Sequence, residues 1–342
     1  MLVVEGKAKI IVDGAFYNPK MSFCRDLDML IFSTLGKHKI LDALSATGVR
    51  GIRAMLEADC EVAFNDANPK AVEIIKKNLE INNLSAEVFC SDASILMRTK
   101  KFEHVDIDPF GSPANFIESA CVHSKFLSVT ATDLEALCCK TSAGLRKYSA
   151  FVLKTDVPHE IGLRVLLGFI AKTALRFEKA IYPLISWAKE HYYRVHVKIK
   201  RSSSEATKTL EKIGYISFCR KCFAKRITKF GETVETCRCG DRPILIGPLW
   251  LGELKNRDFV DKVISLADGK LKNFLLKIQN EIDYPLAYSI PKICSLISKA
   301  APSTADVVEK LKNIGYMASP VHYCGYCIKT NAEIDEIIKI LS

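Results

Sequence analysis

The run Asp106-Ile107-Asp108-Pro109-Phe110-Gly111 places a carboxylate, a rigid carbonyl and an aromatic ring at consecutive positions. An amine attached to an aromatic ring is a weak nucleophile because its lone pair is delocalised into the ring. To attack an electrophilic carbon it must pyramidalise and shed a proton. Asp108 can accept a hydrogen bond and then that proton, the Pro109 carbonyl can take the second N–H, and Phe110 can stack on the ring. Proline stiffens the backbone that carries these acceptors. Asp106, inside the strand rather than at its end, is assigned to structure. The same letters also spell a strand-ending turn, since Asp-Pro and Phe-Gly are frequent turn pairs.

Three further acids end earlier apolar runs. Asp42 closes KILD and is followed by Ser45-Ala46-Thr47-Gly48-Val49-Arg50-Gly51, whose small residues let a ligand approach the backbone closely. A dinucleotide-binding turn would read GxGxxG and seat a pyrophosphate. This turn lacks the first glycine and has an acid before it, which suits a cation such as the sulfonium and ammonium of S-adenosylmethionine. Asp66, in VAFND, can accept from both hydroxyls of a ribose. Asp92, in VFCSDA, can accept from an adenine amino group while the Ala93 N–H donates to the ring. The alternative is that each acid merely caps the helix that follows. With Asp42, Asp66 and Asp92 ahead of it, the Asp108 run stands as the fourth strand end, and the turn reading of that run weakens.

A separate constellation is Cys219-x-x-Cys222 followed by Cys237-x-Cys239-Gly240. Two close cysteine pairs so spaced are what a structural zinc ion needs to gather four thiolates tetrahedrally. Such an ion has no open coordination position and would fold the segment without doing chemistry. Cys324-x-x-Cys327 has no second pair nearby and reads as structural or incidental.

These residues need a scaffold that collects strand ends. From Lys39 to Lys154 short apolar runs alternate with longer amphipathic ones, a rhythm that predicts a parallel sheet covered by helices and binding ligands at its carboxyl edge. The expected fold is therefore α/β and Rossmann-like. EIGLRVLLGFIAKTALRF reads as a long buried helix and HYYRVHVKIK as a strand with Tyr193, Val195, Val197 and Ile199 on one face. Residues 201–207 are polar and serine-rich and read as a loop, followed by a short strand at 215–218. The first domain is placed at 1–245, with the cysteine module at 215–245, and a smaller, mainly helical domain at 246–342. That second domain has helices near 271–282, 290–298 and 305–314, the last capped by Ser303, and then an extended stretch at GYMASPVHY. A winged-helix arrangement and a plain α+β packing unit both fit it.

Composition narrows the partners. Lys and Arg exceed Asp and Glu by 49 to 39, and Lys189 to Lys229 alone holds twelve basic residues against Glu190, Glu205 and Glu211. That concentration favours a polyanion such as RNA over a merely solvated surface. The opening MLVVEGKAKI has no apolar core or cleavage pattern of a signal sequence, and Arg164 interrupts the most apolar stretch well short of a membrane span. With thirteen cysteines, an odd number, the expectation is a reduced, soluble, cytoplasmic protein without a disulfide framework and with no evident obligatory protein partner.

The blocks EGKAKI, FYNPKMSFCRD, DALSATGVRGIR, DIDPFGSP, TATD, GLRKY, HEIGLRVLLGFIA and HYYRVHVKIK closely resemble the archaeal and eukaryotic tRNA guanine-N2 dimethyltransferases acting at position 26. DPFG stands where methyltransferases of amino groups carry D/N-P-P-Y/F. The resemblance implies a class I S-adenosylmethionine-dependent methyltransferase domain and transfer of two methyl groups from that cofactor to the exocyclic N2 of that guanine, with tRNA as partner and, in some members, a cysteine cluster of the kind seen here. It further implies that Arg25 and Arg50 contact the cofactor with Asp42, Gly48, Asp66, Asp92 and Ala93, and that Asp108 is the catalytic carboxylate with Pro109 and Phe110. Phe16 and Asn18, in FYNP, would join Phe110 in holding a flipped guanine, because a stacked and paired base cannot offer its N2 to an active site. One departure lies after TATD, where Leu134-Glu135-Ala136-Leu137-Cys138 replaces a DGAPLCG-like segment and alters the loop. The alternatives are an amino methyltransferase acting on another RNA guanine, on an adenine N6 or on a protein glutamine, and a tRNA-binding protein without catalysis. A nicotinamide dehydrogenase is disfavoured by the missing GxGxxG.

Overall fold

Runs too brief for a buried helix, and bounded by polar or glycine-bearing turns, pair as strands. The computed structural model, which describes residues 1–342, begins with an antiparallel hairpin of β1 (Leu2–Glu5) and β2 (Ala8–Ile11). The central sheet follows, with β3 (Lys39–Asp42), β4 (Glu61–Asn65), β5 (Val88–Phe89), β6 (His104–Ile107), β7 (Phe126–Ala131), β8 (Lys179–Lys189) and β9 (Tyr192–Arg201). Its order is β5-β4-β3-β6-β7-β9-β8. The first five strands are parallel, and β9 runs antiparallel to both β7 and β8. The chain leaves β3 towards β4 and β5, then returns to the other side of β3 as β6. That reversal opens a crevice beyond the carboxyl ends of β3 and β6, the usual ligand site of such sheets. The Rossmann-like expectation holds.

Each face of the sheet carries its own apolar cluster. One contains Leu41, Val105, Val129 and the long helix Pro158–Leu175, which is buried around most of its circumference. Gly168 of that helix lies so near the chain at Leu249 that a Cβ would sit 2.8 Å from the Leu249 Cα. The other cluster joins Phe32 of the helix Ser22–Leu35 to Ile185, Trp187 and Tyr192. Residues 192–197 of β9 are therefore buried on both faces, where alternation suggested a single apolar face. The polar 201–207 segment expected as a loop starts the helix Ser203–Leu210: the Ser202 hydroxyl accepts from the Glu205 N–H at 3.4 Å, so a serine that favours turns here caps a helix.

A second sheet, ordered β11-β10-β12, comprises β10 (Ile213–Phe218), β11 (Lys225–Thr228) and β12 (Ile244–Trp250). The boundary placed between 245 and 246 falls inside β12, which pairs with β10 along most of its length. Beyond it lie the helices Arg257–Leu266 and Gly269–Asn280, β13 (Ala287–Ser289), the helices Ile290–Leu296 and Thr304–Asn313, a hairpin of β14 (Ala318–Val321) and β15 (Cys324–Thr330), and a last helix Ile334–Leu341. Helix, strand, two helices and a hairpin, with the sheet ordered β13-β15-β14, is winged-helix connectivity. Ser303 caps its helix by accepting from the Asp306 N–H at 3.1 Å. Buried charges tie this part to the first: Glu160 accepts from the Tyr323 hydroxyl at 2.9 Å and pairs with Lys329 at 3.0 Å, while Arg164 donates to the Trp250 and Gly252 carbonyls.

Eleven cysteines are free, and Cys324 and Cys327, read as structural or incidental, are joined as a disulfide, although no disulfide framework was expected. No helix is long and apolar enough to cross a membrane.

Candidate functional site

The crevice at the switch point is a cleft of about 690 Å³, within the ~300–1,000 Å³ that small-molecule sites span. Asp42 enters from the end of β3, Asp66 from that of β4, Asp108, Pro109 and Phe110 from that of β6, Arg25 from the helix Ser22–Leu35, Arg50 from the helix Val49–Glu57, and Phe16 and Asn18 from the segment before the first of these helices. The loop after β3 is tightened by the Ser45 hydroxyl, which donates to the Asp42 carbonyl at 2.8 Å. It turns into the helix Val49–Glu57 through Gly48 at φ +76°, a conformation that favours glycine. Asp66 steadies the same loop by accepting from the Ala46 N–H at 2.9 Å, and its own turn by accepting from the Asn68 N–H at 2.8 Å. Asp42 is buried, and burial, followed by the neighbouring Asp106 and Asp108 carboxylates, pushes its pKa well above the usual range. A cation in the cleft relieves that repulsion.

Gly48, Asp92 and Ala93 do not line the cleft. Asp92 caps the helix Ala93–Thr99 by accepting from the Ile95 N–H at 3.0 Å, and Ala93 is buried.

Arg25 and Arg50 do line the cleft, and both guanidinium groups are already engaged by carboxylates. Arg25 meets Glu5 in a two-pronged pair at 2.6 and 2.5 Å and donates to the Asn18 carbonyl at 3.0 Å. Arg50 is paired with Asp28 and with Asp108, and Asp106 lies 3.8 Å away. Asp106 is buried and bound by Arg194 at 2.5 and 3.2 Å, a structural role, although it lies on the same side as Asp108, as residues two apart on a strand do, and Arg50 reaches both. Glu5, Asp28 and Arg194 were not singled out in the sequence. An acid at position 28 in the apolar helix run SFCRDLDMLIF was a readable sign of a buried charge.

Glu5 anchors the N-terminal hairpin to the site. Burial alone would raise its carboxyl, but hydrogen bonds and charge from Arg25, with further bonds from Tyr17 and Arg53, hold it down to about 2. A carboxyl depressed from 4.5 to about 2 in the folded chain contributes roughly 3 kcal/mol above pH 4.5, which disappears as pH falls towards 2 and the unfolded chain takes up the proton first. Glu5→Gln should be less stable than the parent at pH 7 and should show a flatter loss between pH 4.5 and 2. Urea midpoints followed by circular dichroism across that window check this, and parallel curves would contradict it.

Phe110 is 93% exposed and Phe16 61% exposed, and their rings meet edge to face at 5.9 Å between centroids at the rim of the cleft. The loop carrying Phe110 is clamped from β7. The Gly111 N–H donates to the Thr132 hydroxyl and the Thr132 N–H to the Gly111 carbonyl, both at 3.0 Å. Behind it, Tyr148 contacts the Ser112 hydroxyl at 2.8 Å and donates to Asp133 at 2.7 Å. Asp133 and Tyr148 belong to the TATD and GLRKY blocks, so those blocks hold the loop. His191, Asn115 and Phe116 also line the cleft and were not anticipated.

The four cysteines converge on turns flanking β11, away from the cleft. The Cys219 and Cys239 sulfurs are 3.5 Å apart, those of Cys222 and Cys237 3.4 Å, and all four lie within 4.8 Å of one another. A tetrahedron with metal–sulfur arms of ~2.3 Å has edges of roughly 3.8 Å, so the set fits a zinc ion. The basic stretch is not one face: Arg194 is in the core, and Lys225 is buried against Asp156 at 2.7 Å.

Residues 2–342 match the family described as TRM: N2,N2-dimethylguanosine tRNA methyltransferase. A tRNA (guanine(26)-N(2))-dimethyltransferase of Archaeoglobus fulgidus is 55% identical, with 100% of this chain and 98% of that protein covered. The enzyme of the same name from Methanospirillum hungatei is 38% identical over 96% of this chain and 91% of its own. Among solved structures, Trm1 from Pyrococcus horikoshii in complex with S-adenosyl-L-methionine superposes with a TM-score of 0.92 at 33% identity, covering 100% of both chains. With likeness of this extent along its whole length, the chain belongs to the N2,N2-dimethylguanosine tRNA methyltransferase family.

Proposed function

We propose that this protein transfers two methyl groups in succession from S-adenosylmethionine to the exocyclic N2 of guanine 26 in tRNA, with Asp108 as the catalytic carboxylate. The observation that carries this reading is the juxtaposition, in one acid-lined cleft, of Asp108 with the exposed pair Phe16 and Phe110. The cleft fits a cationic cofactor because Asp42 is buried there against two other carboxylates. Asp42, Asp66 and the 45–48 loop would hold the cofactor, with Asp92 and Ala93 at the neighbouring strand end. Bound S-adenosylmethionine supplies an electrophilic methyl group. Phe16 and Phe110 grip the flipped base by stacking, and Asn18 stands beside them. Asp108, fixed by Arg50, accepts the hydrogen bond and then the proton that the amine gives up as its new N–C bond forms. The Pro109 carbonyl takes the other N–H in the first transfer. In the second transfer one N–H remains, and only the carboxylate can take its proton.

Cys219, Cys222, Cys237 and Cys239 would hold a structural zinc ion, and the residues after Trp250 would dock tRNA beside the basic segment that the ion organises. The same reading sets the enzyme in the cytoplasm. Incubating an unmodified tRNA transcript with the protein and the cofactor, then analysing nucleosides by mass spectrometry, is expected to give N2-methylguanosine followed by N2,N2-dimethylguanosine. Replacing guanine 26 by adenine should abolish both. Methylation that survives the replacement, or that appears on adenine or protein instead, would overturn the proposal.

A further inference from the structure

Beside the helix Ser22–Leu35, the helix Gly269–Asn280 exposes Lys270, Lys272 and Lys277 and contains no acidic residue. Its apolar side, Leu271, Phe274, Leu275 and Ile278, packs into the cluster built on Ser22–Leu35. The Phe274 ring meets Phe23 of that helix edge to face at 5.3 Å, and the Lys189 ammonium lies 4.8 Å from the centre of the Phe23 ring. Lys189 ends β8, two residues before His191, which lines the cleft. Lys270 and Lys277 stand four residues before and three residues after Phe274, so they share its side of the helix, one turn away in each direction. Along the axis they are roughly 10 Å apart.

This helix is fixed with respect to the cleft. Glu281, which ends it, is buried and accepts from the His322 backbone N–H at 3.0 Å and from the His322 Nδ1 at 2.7 Å. His322 Nε2 accepts from the Ala188 N–H at 3.0 Å, on the free edge of β8 and next to Lys189. Lys329 takes the other Glu281 oxygen. Lysines on this helix are therefore held at a set distance from the reacting atoms, and an anchor placed in advance costs less on binding than one that must be ordered.

Neighbouring acids leave that charge uncancelled. Asp268 precedes Lys272 by four residues, the spacing of a helical ion pair, which discounts that one lysine. Lys270 and Lys277 have no carboxylate within 4.0 Å. The helix Thr304–Asn313 differs. It occupies the place of the helix that enters a groove in winged-helix proteins, yet it exposes Asp306 and Glu309 beside Lys310 and Lys312. Asp306 precedes Lys310 by four residues and Glu309 precedes Lys312 by three, so each cation has an acid at pairing distance along the helix. Such a surface repels a phosphate chain as much as it attracts one.

We infer that tRNA docks through its phosphates along the helix Gly269–Asn280, anchored by Lys270 and Lys277, and not on the helix Thr304–Asn313. The inference rests on the reading of tRNA as the substrate and names the surface that receives it. The exposed Lys20, two residues past Asn18 of the cleft, extends the same positive charge to the rim. The winged-helix part then serves to hold the docking helix against β8 through His322 and Glu281.

Titration of the full-length protein with an unmodified tRNA transcript between about 50 and 200 mM salt tests this. The parent should bind with an affinity that falls steeply as salt rises. Lys270→Ala/Lys277→Ala should bind about tenfold or more weakly at the lower salt, and its slope of log affinity against log salt should be shallower by about two, one for each lost phosphate contact. KM for tRNA should rise by the same factor, while kcat at saturating tRNA and the affinity for S-adenosylmethionine stay within about twofold. Lys310→Ala/Lys312→Ala should keep the parent's slope and an affinity within about twofold. Should the alanine pair at 270 and 277 prove less stable, Lys270→Gln/Lys277→Gln keeps good helix formers without the charge and must lose the same slope. An unmoved slope in the variants at 270 and 277, or a loss confined to those at 310 and 312, overturns the inference while the functional reading stands. A parent that binds no tRNA takes down both.

Discussion

Asp108→Ala is expected to lower kcat for methyl transfer by about 10²–10⁴-fold, the span of a lost general base, while the dissociation constant for S-adenosylmethionine changes by less than about tenfold. The two effects separate because of how the charges are shared. Arg50 keeps Asp28 as a partner when Asp108 is gone, so no buried guanidinium is left alone, and Asp106 stays bound to Arg194. The binding loop is held by Ser45, Asp66 and Gly48, none of which touches Asp108 through a hydrogen bond. What disappears is the acceptor for the amine proton. Asp108→Asn sharpens the test, since the amide keeps the shape and one hydrogen-bond acceptor but cannot take a proton at neutral pH. It should be nearly as slow as the alanine variant. Single-turnover transfer of a labelled methyl group to a tRNA transcript, with calorimetric titration of the cofactor, measures both quantities. Turnover near that of the parent in either variant would remove Asp108 from the mechanism.

Local chemistry was legible in the sequence and long-range pairing was not. The alternation of short and long apolar runs gave the parallel strands, and strand ends gave Asp42, Asp66 and Asp108, which the cleft brings together. The aromatic letters of FYNP and DPFG gave Phe16 and Phe110, which meet although 94 residues apart in number, from 16 to 110. The cysteine spacing gave a cluster whose sulfurs do converge. Asp92 shows that a strand-end carboxylate can be read in two ways from its letters alone, since it also caps the next helix. Arginines were harder still. A guanidinium reads as ligand-facing or RNA-facing in a string of letters, yet Arg25 closes on Glu5, Arg50 on Asp28, and Arg194 lies in the core between Asp106 and Asp28. Each of these pairs depends on how the N-terminal hairpin and the helix Ser22–Leu35 dock on the sheet, which no local pattern encodes. The serine-rich segment misled in the opposite sense, since the propensity of serine for turns and for helix caps has one cause, a side chain that bonds to nearby backbone.

Removing the zinc ion proposed at Cys219, Cys222, Cys237 and Cys239 is expected to unfold the segment between β10 and β12 while the cofactor cleft survives. Between Cys219 and Pro243 the only regular element is the four-residue strand β11, and residues 229–240 are largely exposed, so little apolar burial supports the turns there. A structural zinc ion contributes on the order of 10–16 kcal/mol in small modules, comparable with the whole stability of a domain at ~5–15 kcal/mol. Four thiols this close, deprived of the ion, have no other partner of similar strength. The parent protein should therefore contain one zinc per chain by elemental analysis, released by a strong chelator together with a drop in Tm. Cys222→Ser should lower the zinc content and expose the segment to protease cleavage within residues 229–240. No residue is shared between this cluster and the cleft, so cofactor affinity should stay within about twofold in both cases. Affinity for tRNA should fall by about tenfold or more, because the exposed Arg220, Lys221, Arg226 and Lys229 lose their fixed arrangement. Full-length protein that carries far less than one zinc per chain, melts unchanged in chelator and binds tRNA as before would show that the four sulfurs converge for packing alone.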